Sequence, residues 1–154
     1  MTTITLEHVQ AEQVKLAAMI EQLQAQARAT IVVAETTIAL RPSERYAGVV
    51  LNEDGQVDHH LILMAERPGK TMCWQDAMDW AKSIGGALPS RQEQSLLFSN
   101  CKPHLEAAWH WSNETHKDDA SFAWYCVFSY GGTLNTHKSF SGAAVAVRLI
   151  PITA

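Results

Sequence analysis

The sequence predicts an α+β protein in which a long N-terminal helix precedes a domain of shorter helices and strands. A heptad pattern without Gly or Pro covers residues 4–30. From residue 31 onward, runs rich in β-branched and aromatic residues alternate with turn-forming Gly, Pro, Asn and Asp. Two further segments have the period of a helix. We therefore expect an oligomerisation helix over residues 1–30 and one ligand-binding domain over residues 31–154.

The composition limits the classes of function. Hydrophobic residues make up 47% of the 154 residues, charged residues make up 18%, and the net charge is -4. An acidic chain without a basic stripe argues against nucleic acid as a partner. No apolar run is long enough to cross a membrane, and the N-terminal residues lack the basic and apolar regions of a secretory signal. We expect a cytoplasmic protein, in the host cytoplasm if phage-encoded, with the virion as the alternative location.

The apolar positions of the N-terminal segment recur at alternating spacings of three and four. The a positions are Leu6, Gln13, Ile20 and Ala27, and the d positions are Val9, Leu16, Leu23 and Thr30. Thr5 is a suitable N-cap. A lone helix of this length needs a surface that covers its apolar seam. We expect a parallel homo-oligomeric coiled coil through residues 6–30, with a trimer favoured, and packing on the chain's own domain is the alternative.

The elements that follow are predicted from local signals. Residues 31–40 indicate a strand or an extended linker, and a hairpin of residues 46–51 and 57–65 follows, joined by a turn at residues 52–55. Residues 74–84 form an amphipathic helix that Gly85 and Gly86 terminate.

A capping box marks the next helix. Ser90 and Glu93 are spaced for this motif at the start of a helix over residues 91–99. The remaining chain is interpreted as loop-rich, with strands around residues 122–130 and 144–150.

The motif order in the C-terminal half resembles that of the Lcl C-terminal domain family, a group of phage and bacterial domains. The motifs read CWQDAMDWAKSIGGALPSRQEQSLLF, WHWSNET, FAWYCVFSYGG and AVAVRLI, and they cover residues 74–150. The resemblance implies a C-type-lectin-like architecture that is shared with formylglycine-generating enzymes. Two departures matter: the oxygen ligands of a calcium lectin site have only a loose counterpart at residues 111–119, and Cys126 has no nearby cysteine for formylglycine-type chemistry.

Arg148 lies among apolar residues and therefore needs a carboxylate partner. We expect a buried structural ion pair in which Glu93 pairs with Arg148, with Arg91 beside it at the start of the same helix. Trp74, Trp80 and Trp124 are expected in the core.

The candidate binding region is segment 104–142, where rigid aromatic side chains occur together with amide, imidazole and ammonium groups. We expect one of the tryptophans at positions 109 and 111 to face inward and the other to be an exposed aromatic for binding. The candidate ligand-binding residues are Trp109, His110, Trp111, Asn113, His116, Tyr130, Asn135, His137 and Lys138. A small polar molecule or a glycan would suit such groups.

No spacing points to a metal, a cofactor or catalysis. The seven histidines form no HxH or HExxH pattern, and the three cysteines, Cys73, Cys101 and Cys126, form no CxxC pair and are expected to be reduced and mostly buried. We therefore expect a non-enzymatic, phage- or prophage-type binding protein. Either it sequesters a host small molecule, such as a nucleotide-derived defence signal, or it recognises a cell surface. An enzyme of the formylglycine-generating-like fold and a purely structural oligomer are the alternatives.

Overall fold

A computed structural model describes residues 3–26 and 31–152 of the chain, which divides into two units. The first unit, Met1–Val32, contains helix α1 (Leu6–Gln26), and the second, Val33–Ala154, contains two further helices and six strands in its described part. These elements confirm the α+β class. None of the described helices is long and apolar enough to span a bilayer.

Helix α1 begins where the sequence predicts. The backbone N–H of His8 donates to Thr5 Oγ1 at 3.2 Å, so Thr5 is the N-cap. Within this unit the described seam is uncovered, since its apolar side chains are exposed by between 41% (Val9) and 73% (Leu6). The seam positions Ala27 and Thr30 lie outside the described residues. A helix with this much exposed apolar surface gains little stability from its own unit.

The first sheet is antiparallel with strand order β1-β2-β6. Strands β1 (Arg45–Leu51) and β2 (Val57–Leu63) confirm the predicted hairpin, and β6 (Val147–Pro151) is the final strand. In the hairpin turn, Asn52 Oδ1 accepts hydrogen bonds from two backbone N–H groups at 3.0 Å. Residues 31–40 belong to no helix or strand, so of the two predicted alternatives the linker applies and the strand does not.

Helices α2 (Trp74–Ser83) and α3 (Arg91–Cys101) confirm both helix predictions. After α2, Gly85 has φ of 79°, a conformation that favours glycine. Before α3, the Glu93 N–H donates to Ser90 Oγ at 3.1 Å and the Ser90 N–H donates to Glu93 Oε1 at 3.0 Å. The capping box therefore has both of its hydrogen bonds.

The segment interpreted as loop-rich contains a second antiparallel sheet. A short 3-10 helix, Lys102–His104, precedes strands β3 (Trp109–Thr115), β4 (Phe122–Val127) and β5 (Gly132–His137), which pair in that order. Only β4 was expected there as a strand.

Helix α3 joins the two sheets through side-chain amides. Asn100 Nδ2 donates to the Ala47 carbonyl at 2.6 Å, and Gln92 Nε2 donates to the Leu51 carbonyl at 2.9 Å, so two carbonyls of the edge strand β1 are satisfied. On the other sheet, Gln94 Nε2 donates to the carbonyl of residue 110 at 3.0 Å. Because Gln94 is fully buried, this hydrogen bond is shielded from water.

The core consists of two clusters, one for each side of strands β3 and β4. One cluster lies between the first sheet and α3, and it includes Val50, Leu61, Leu63, Leu97, Cys126, Phe128 and Val147. The other lies under α2, and it includes Met64, Ala77, Ala81, Leu88, Trp111, Ala123 and Ala146. Strands β3 and β4 are therefore packed on both faces, whereas β5 is mostly exposed.

The predicted ion pair is wrong in its partners. Arg148 Nη2 lies 2.7 Å from the carboxylate of Glu44, whose side chain is only 2% exposed. Arg91 pairs instead with Glu114, at 3.2 Å. Glu93 has no free oxygen for Arg148, because it caps α3 and its other oxygen lies 3.3 Å from His59. Arg148 therefore has a buried carboxylate partner, as predicted, but this partner is Glu44, which directly precedes β1.

The Arg148→Ala variant is expected to lower the free energy of unfolding by about 3 kcal/mol, because it leaves the Glu44 carboxylate buried without its partner. Urea unfolding at neutral pH measures this. The hydrogen bond from Arg148 lowers the pKa of Glu44 below the ordinary value of 4.5. The contribution of the pair is therefore complete above that value and is lost as the pH falls through the lowered pKa.

Arg91→Ala is the control for this measurement. The Arg91 and Glu114 side chains are 42% and 35% exposed, so the loss of their ion pair should cost less than about 1 kcal/mol. Equal losses for the two arginine variants would contradict the assignment of Arg148 as the buried partner.

Candidate functional site

A polar cavity of about 190 Å³ lies between the loop that follows β2 and the strand β3. We call it the His110 cavity. It is lined by Arg67, Pro68, Gly69, Lys70, Thr71, Glu106, His110, Ala143 and Ala144. Its walls therefore combine two cations, a carboxylate and an imidazole with small residues that leave space. Such donors and acceptors around one concavity can orient a polar ligand by hydrogen bonds and charge.

His110 is the most buried polar group of the cavity, with an exposed fraction of 2%. Its Nδ1 lies 2.8 Å from the Ala108 carbonyl oxygen. Because a carbonyl can only accept, Nδ1 carries the proton, and in the neutral ring Nε2 is left as an acceptor. Nε2 accepts no hydrogen bond from the described residues, and it is not an enclosed atom, since the buried side-chain atom without a partner among these residues is Gln94 Oε1. Nε2 can therefore accept a hydrogen bond from a molecule that enters the cavity.

The charge state of His110 follows from its burial. Desolvation lowers the pKa of His110 below its ordinary value of 6.5, and the hydrogen bond to Ala108 and the charge of Glu106 only partly oppose this effect. The imidazole is therefore neutral at physiological pH. It serves as a fixed hydrogen-bond acceptor rather than as a cation.

Arg67 holds the loop that forms the other wall. Its Nη1 donates to the Met64 and Glu66 carbonyls at 2.7 and 2.8 Å, and its Nη2 donates to the His104 carbonyl at 3.1 Å. Although the residue is exposed, desolvation of the guanidinium lowers the pKa of Arg67, and the charges of Glu106 and Glu66 oppose this shift. It remains a cation at neutral pH. The loop is thus tied to the segment that leads into β3.

The lining of the cavity offers both hydrogen-bond donors and hydrogen-bond acceptors. Lys70 offers an ammonium group that is not used to hold the loop. Glu106 and His110 Nε2 accept hydrogen bonds, and Lys70 donates them. A nucleophile with an adjacent base, the arrangement required for covalent catalysis, is not found in this lining.

The two tryptophans of β3 are not the exposed binding residues that the sequence suggested. Trp111 is fully buried, and its Nε1 donates to the Met72 carbonyl at 2.9 Å. Trp109 is half-buried and packs edge-on against Trp111 with ring centroids 5.0 Å apart. Side chains two residues apart on a strand lie on the same face, so both face the core, and the expectation that one would face outward was wrong.

The other predicted ligand residues do not converge on one cavity. His116 stacks on Trp124 with centroids 5.3 Å apart, and the ammonium of Lys138 lies 4.0 Å from the centre of the Trp74 ring. The remaining predicted residues are exposed at the surface, and they are Asn113, Tyr130, Asn135 and His137. Of the nine candidates, only His110 lines the polar cavity.

Of the three tryptophans expected in the core, two lie at the edge of a core cluster and the third lies outside both clusters. Trp74 and Trp80 are half-buried and pack against the cluster under α2. Trp124 is half-buried on β4, where the Arg91 guanidinium lies 4.2 Å from its ring centre. Its surroundings are therefore cationic and aromatic rather than aliphatic.

Sequence reasoning missed the residues that complete the cavity, namely Arg67, Lys70, Ala143 and Ala144. The one local signal is the Pro68-Gly69-Lys70 run, where Gly69 has φ of 73° and allows the chain to bend. Nothing in the sequence relates this bend to residues that lie about seventy positions further along.

Within residues 3–26 and 31–152, no three His, Cys, Asp or Glu side chains lie close enough together to hold a metal ion.

The three cysteines are free thiols, and burial raises the pKa of Cys101 and of Cys126. These two thiols are protonated at neutral pH and contribute to the core as small apolar side chains.

Trp111→Ala is expected to destabilise the protein by about 4 kcal/mol, because it removes a fully buried ring and leaves a cavity. Thermal or urea unfolding measures this. Asn135→Ala, at an exposed position of β5, is the control and should change stability by less than about 0.5 kcal/mol. A small effect of Trp111→Ala would indicate a surface tryptophan instead.

Comparison with known proteins does not assign the chain to a family. No protein-family model matches the chain, and a search of curated proteins finds no relative. The resemblance to the Lcl C-terminal domain family therefore stays a prediction.

Proposed function

We propose that this chain is a non-enzymatic binding protein that holds a small polar ligand in the His110 cavity. The observation that carries the proposal is the buried, neutral imidazole of His110, whose Nε2 lacks a partner while its Nδ1 is fixed by the Ala108 carbonyl. Because His110 lines the cavity and Nε2 is not an enclosed unpaired atom, a ligand donor can reach this fixed acceptor, and one such hydrogen bond contributes about 1 kcal/mol.

The size and chemistry of the cavity define the ligand class. At about 190 Å³ the cavity is smaller than the 300–1,000 Å³ typical of drug-sized ligands, so it suits a small molecule or one end of a larger one. Lys70 favours an anionic or other acceptor oxygen, whereas His110 and Glu106 favour a hydroxyl or amide donor. A phosphorylated or carboxylated metabolite with a free hydroxyl has both groups.

Of the two biological roles that the sequence leaves open, the cavity favours the sequestration of a small molecule. A protein that recognises a cell-surface glycan commonly offers exposed aromatic rings for stacking. Trp109 and Trp111 are unavailable for this, which leaves Tyr130, exposed by 64%, as the exposed ring among the predicted residues. Sequestration inside an infected cell, as an anti-defence function of a phage, is therefore the version we put forward.

We also propose that α1 assembles the protein as a parallel coiled coil and that the second unit is C-type-lectin-like. The exposed seam of α1 supports the first proposal. Support for the second comes from the pairing of the C-terminal strand β6 with the early strand β2, with two helices and a separate three-stranded sheet. An oligomer would carry several cavities in one particle, which suits a protein that must capture a scarce ligand.

Deletion of residues 1–29 is expected to convert the oligomer to a monomer, because it removes the apolar seam. Light scattering coupled to size exclusion measures the mass of both forms against the 17.0 kDa of the chain. An unchanged subunit number after the deletion would mean that α1 does not mediate assembly.

Native mass spectrometry of protein purified gently from an expressing or infected cell tests the ligand proposal. We expect an integer multiple of the chain mass plus a small excess that denaturation releases, and the released mass identifies the ligand. A mass equal to an integer multiple of the chain mass, without any excess, in protein from both expressing and infected cells would contradict sequestration. Together with a positive glycan array it would favour surface recognition.

Lys70→Ala and His110→Phe are expected to remove this excess mass, since the loss of a charge-assisted or buried hydrogen bond weakens binding about tenfold or more. Lys117→Ala is the matched control, because Lys117 is exposed and lies outside the cavity lining. Retention of the excess mass in Lys70→Ala and His110→Phe alike would place the ligand elsewhere on the protein.

A further inference from the structure

Two opposite charges line the His110 cavity without forming an ion pair with any of the described residues. Lys70 lies in the loop that follows β2, and Glu106 lies in the segment that leads into β3. The ion pairs in the described part of the chain involve other side chains. Within this part of the protein, the ammonium and the carboxylate are therefore both free to bind a ligand.

Arg67, the second cation of the lining, does not occupy the Glu106 carboxylate by hydrogen bonds. Its guanidinium donates to three backbone carbonyls instead. The charge of Glu106 also reaches the imidazole, because it opposes the lowering of the His110 pKa by burial. Glu106 and His110 thus offer two acceptors on the same cavity that one cationic donor can share.

The chemistry of these groups defines what can satisfy them together. An ammonium group has three N–H donors and a positive charge, so it can donate to His110 Nε2 and also balance the charge of Glu106. A hydroxyl could donate to the imidazole but would leave that charge unbalanced. Lys70 has donors only and favours an anionic oxygen. The cavity volume of about 190 Å³ requires that the two ligand groups lie only a few bonds apart.

We propose that the His110 cavity binds a small molecule that carries both an ammonium group and an acidic group. The ammonium donates to His110 Nε2 and to the Glu106 carboxylate, and the acidic group accepts from Lys70. This inference rests on the binding function proposed above. It narrows the ligand to an amino acid, an aminoalkyl phosphate or a similar small molecule with both charges.

The test is an NMR titration of the full-length chain at neutral pH with three related probes. β-Alanine carries both groups, propanoate lacks the ammonium, and ethylamine lacks the carboxylate. The backbone amides of Gly69, Thr71, Ala143 and Ala144 report on the cavity, since these residues line it. We expect saturable shifts with β-alanine and about fivefold weaker binding of each of the other two probes, because each lacks one charged contact.

A fourth probe, O-phosphoethanolamine, identifies the acidic group. It keeps the ammonium of β-alanine and replaces the carboxylate by a phosphate. Tighter binding than that of β-alanine would assign a phosphate to Lys70, and weaker binding would assign a carboxylate.

Glu106→Gln keeps the shape of the side chain but removes its charge, and it should reduce the advantage of β-alanine over propanoate to less than twofold. Lys70→Gln should weaken β-alanine and propanoate but not ethylamine. Glu66→Gln is the matched control, because Glu66 is an exposed carboxylate of the same loop that lies outside the cavity lining. That variant should keep the fivefold advantage. All three positions are exposed, so the variants should fold.

The outcomes separate this inference from the proposed function. Equal affinities of β-alanine and propanoate, with shifts at the four cavity amides, would overturn the inference but retain the cavity as a binding site. A fivefold advantage that persists in Glu106→Gln would also overturn it. If β-alanine and O-phosphoethanolamine shift only amides elsewhere, or none, both the inference and the placement of the ligand in the cavity would be contradicted.

Discussion

Three side-chain amides of helix α3 fix the relation between the two sheets of the second unit. A sheet of three strands depends on packing for its stability. Helix α3 contacts both sheets, and the segment that leads into β6 also bonds to β3, through the backbone of Ala143. Gln92 and Asn100 bind carbonyls of the edge strand β1, and Gln94 binds the backbone of β3 at His110. The position of the cavity wall therefore depends on α3. It also depends on the capping box that fixes where this helix begins.

Elements with local signals could be predicted from the sequence, and elements defined by distant contacts could not. The Ser90–Glu93 box and the hairpin turn at Asn52 act within a few residues, and both are found as predicted. Strand β5 was missed because it is an edge strand with mostly exposed polar side chains, so no apolar alternation marks it. Strand β3 was missed because it is packed on both faces. Its buried His110 and Ser112 resemble loop residues in sequence.

The same limit applies to charges and to the candidate site. The sequence correctly implied that Arg148 needs a carboxylate, but its partner Glu44 is 104 positions away and no spacing rule relates them. Glu93 was predicted as the partner of Arg148 because it belongs to a recognisable motif. In the structure, one of its oxygens accepts the capping hydrogen bond of α3 and the other lies beside His59. Likewise, His110 could be identified from its aromatic segment, whereas Lys70 lines the same cavity only because the loop after β2 folds there.

The selectivity proposed for the cavity depends on how its imidazole is held. Nδ1 of His110 faces a carbonyl that can only accept, so the tautomer is fixed and Nε2 is an acceptor. The backbone carbonyl of the same residue accepts a hydrogen bond from Gln94 Nε2, so helix α3 fixes the strand position that carries the imidazole. A fixed acceptor beside the ammonium of Lys70 favours ligands that place a donor at Nε2 and an acceptor at Lys70 over ligands that lack either group.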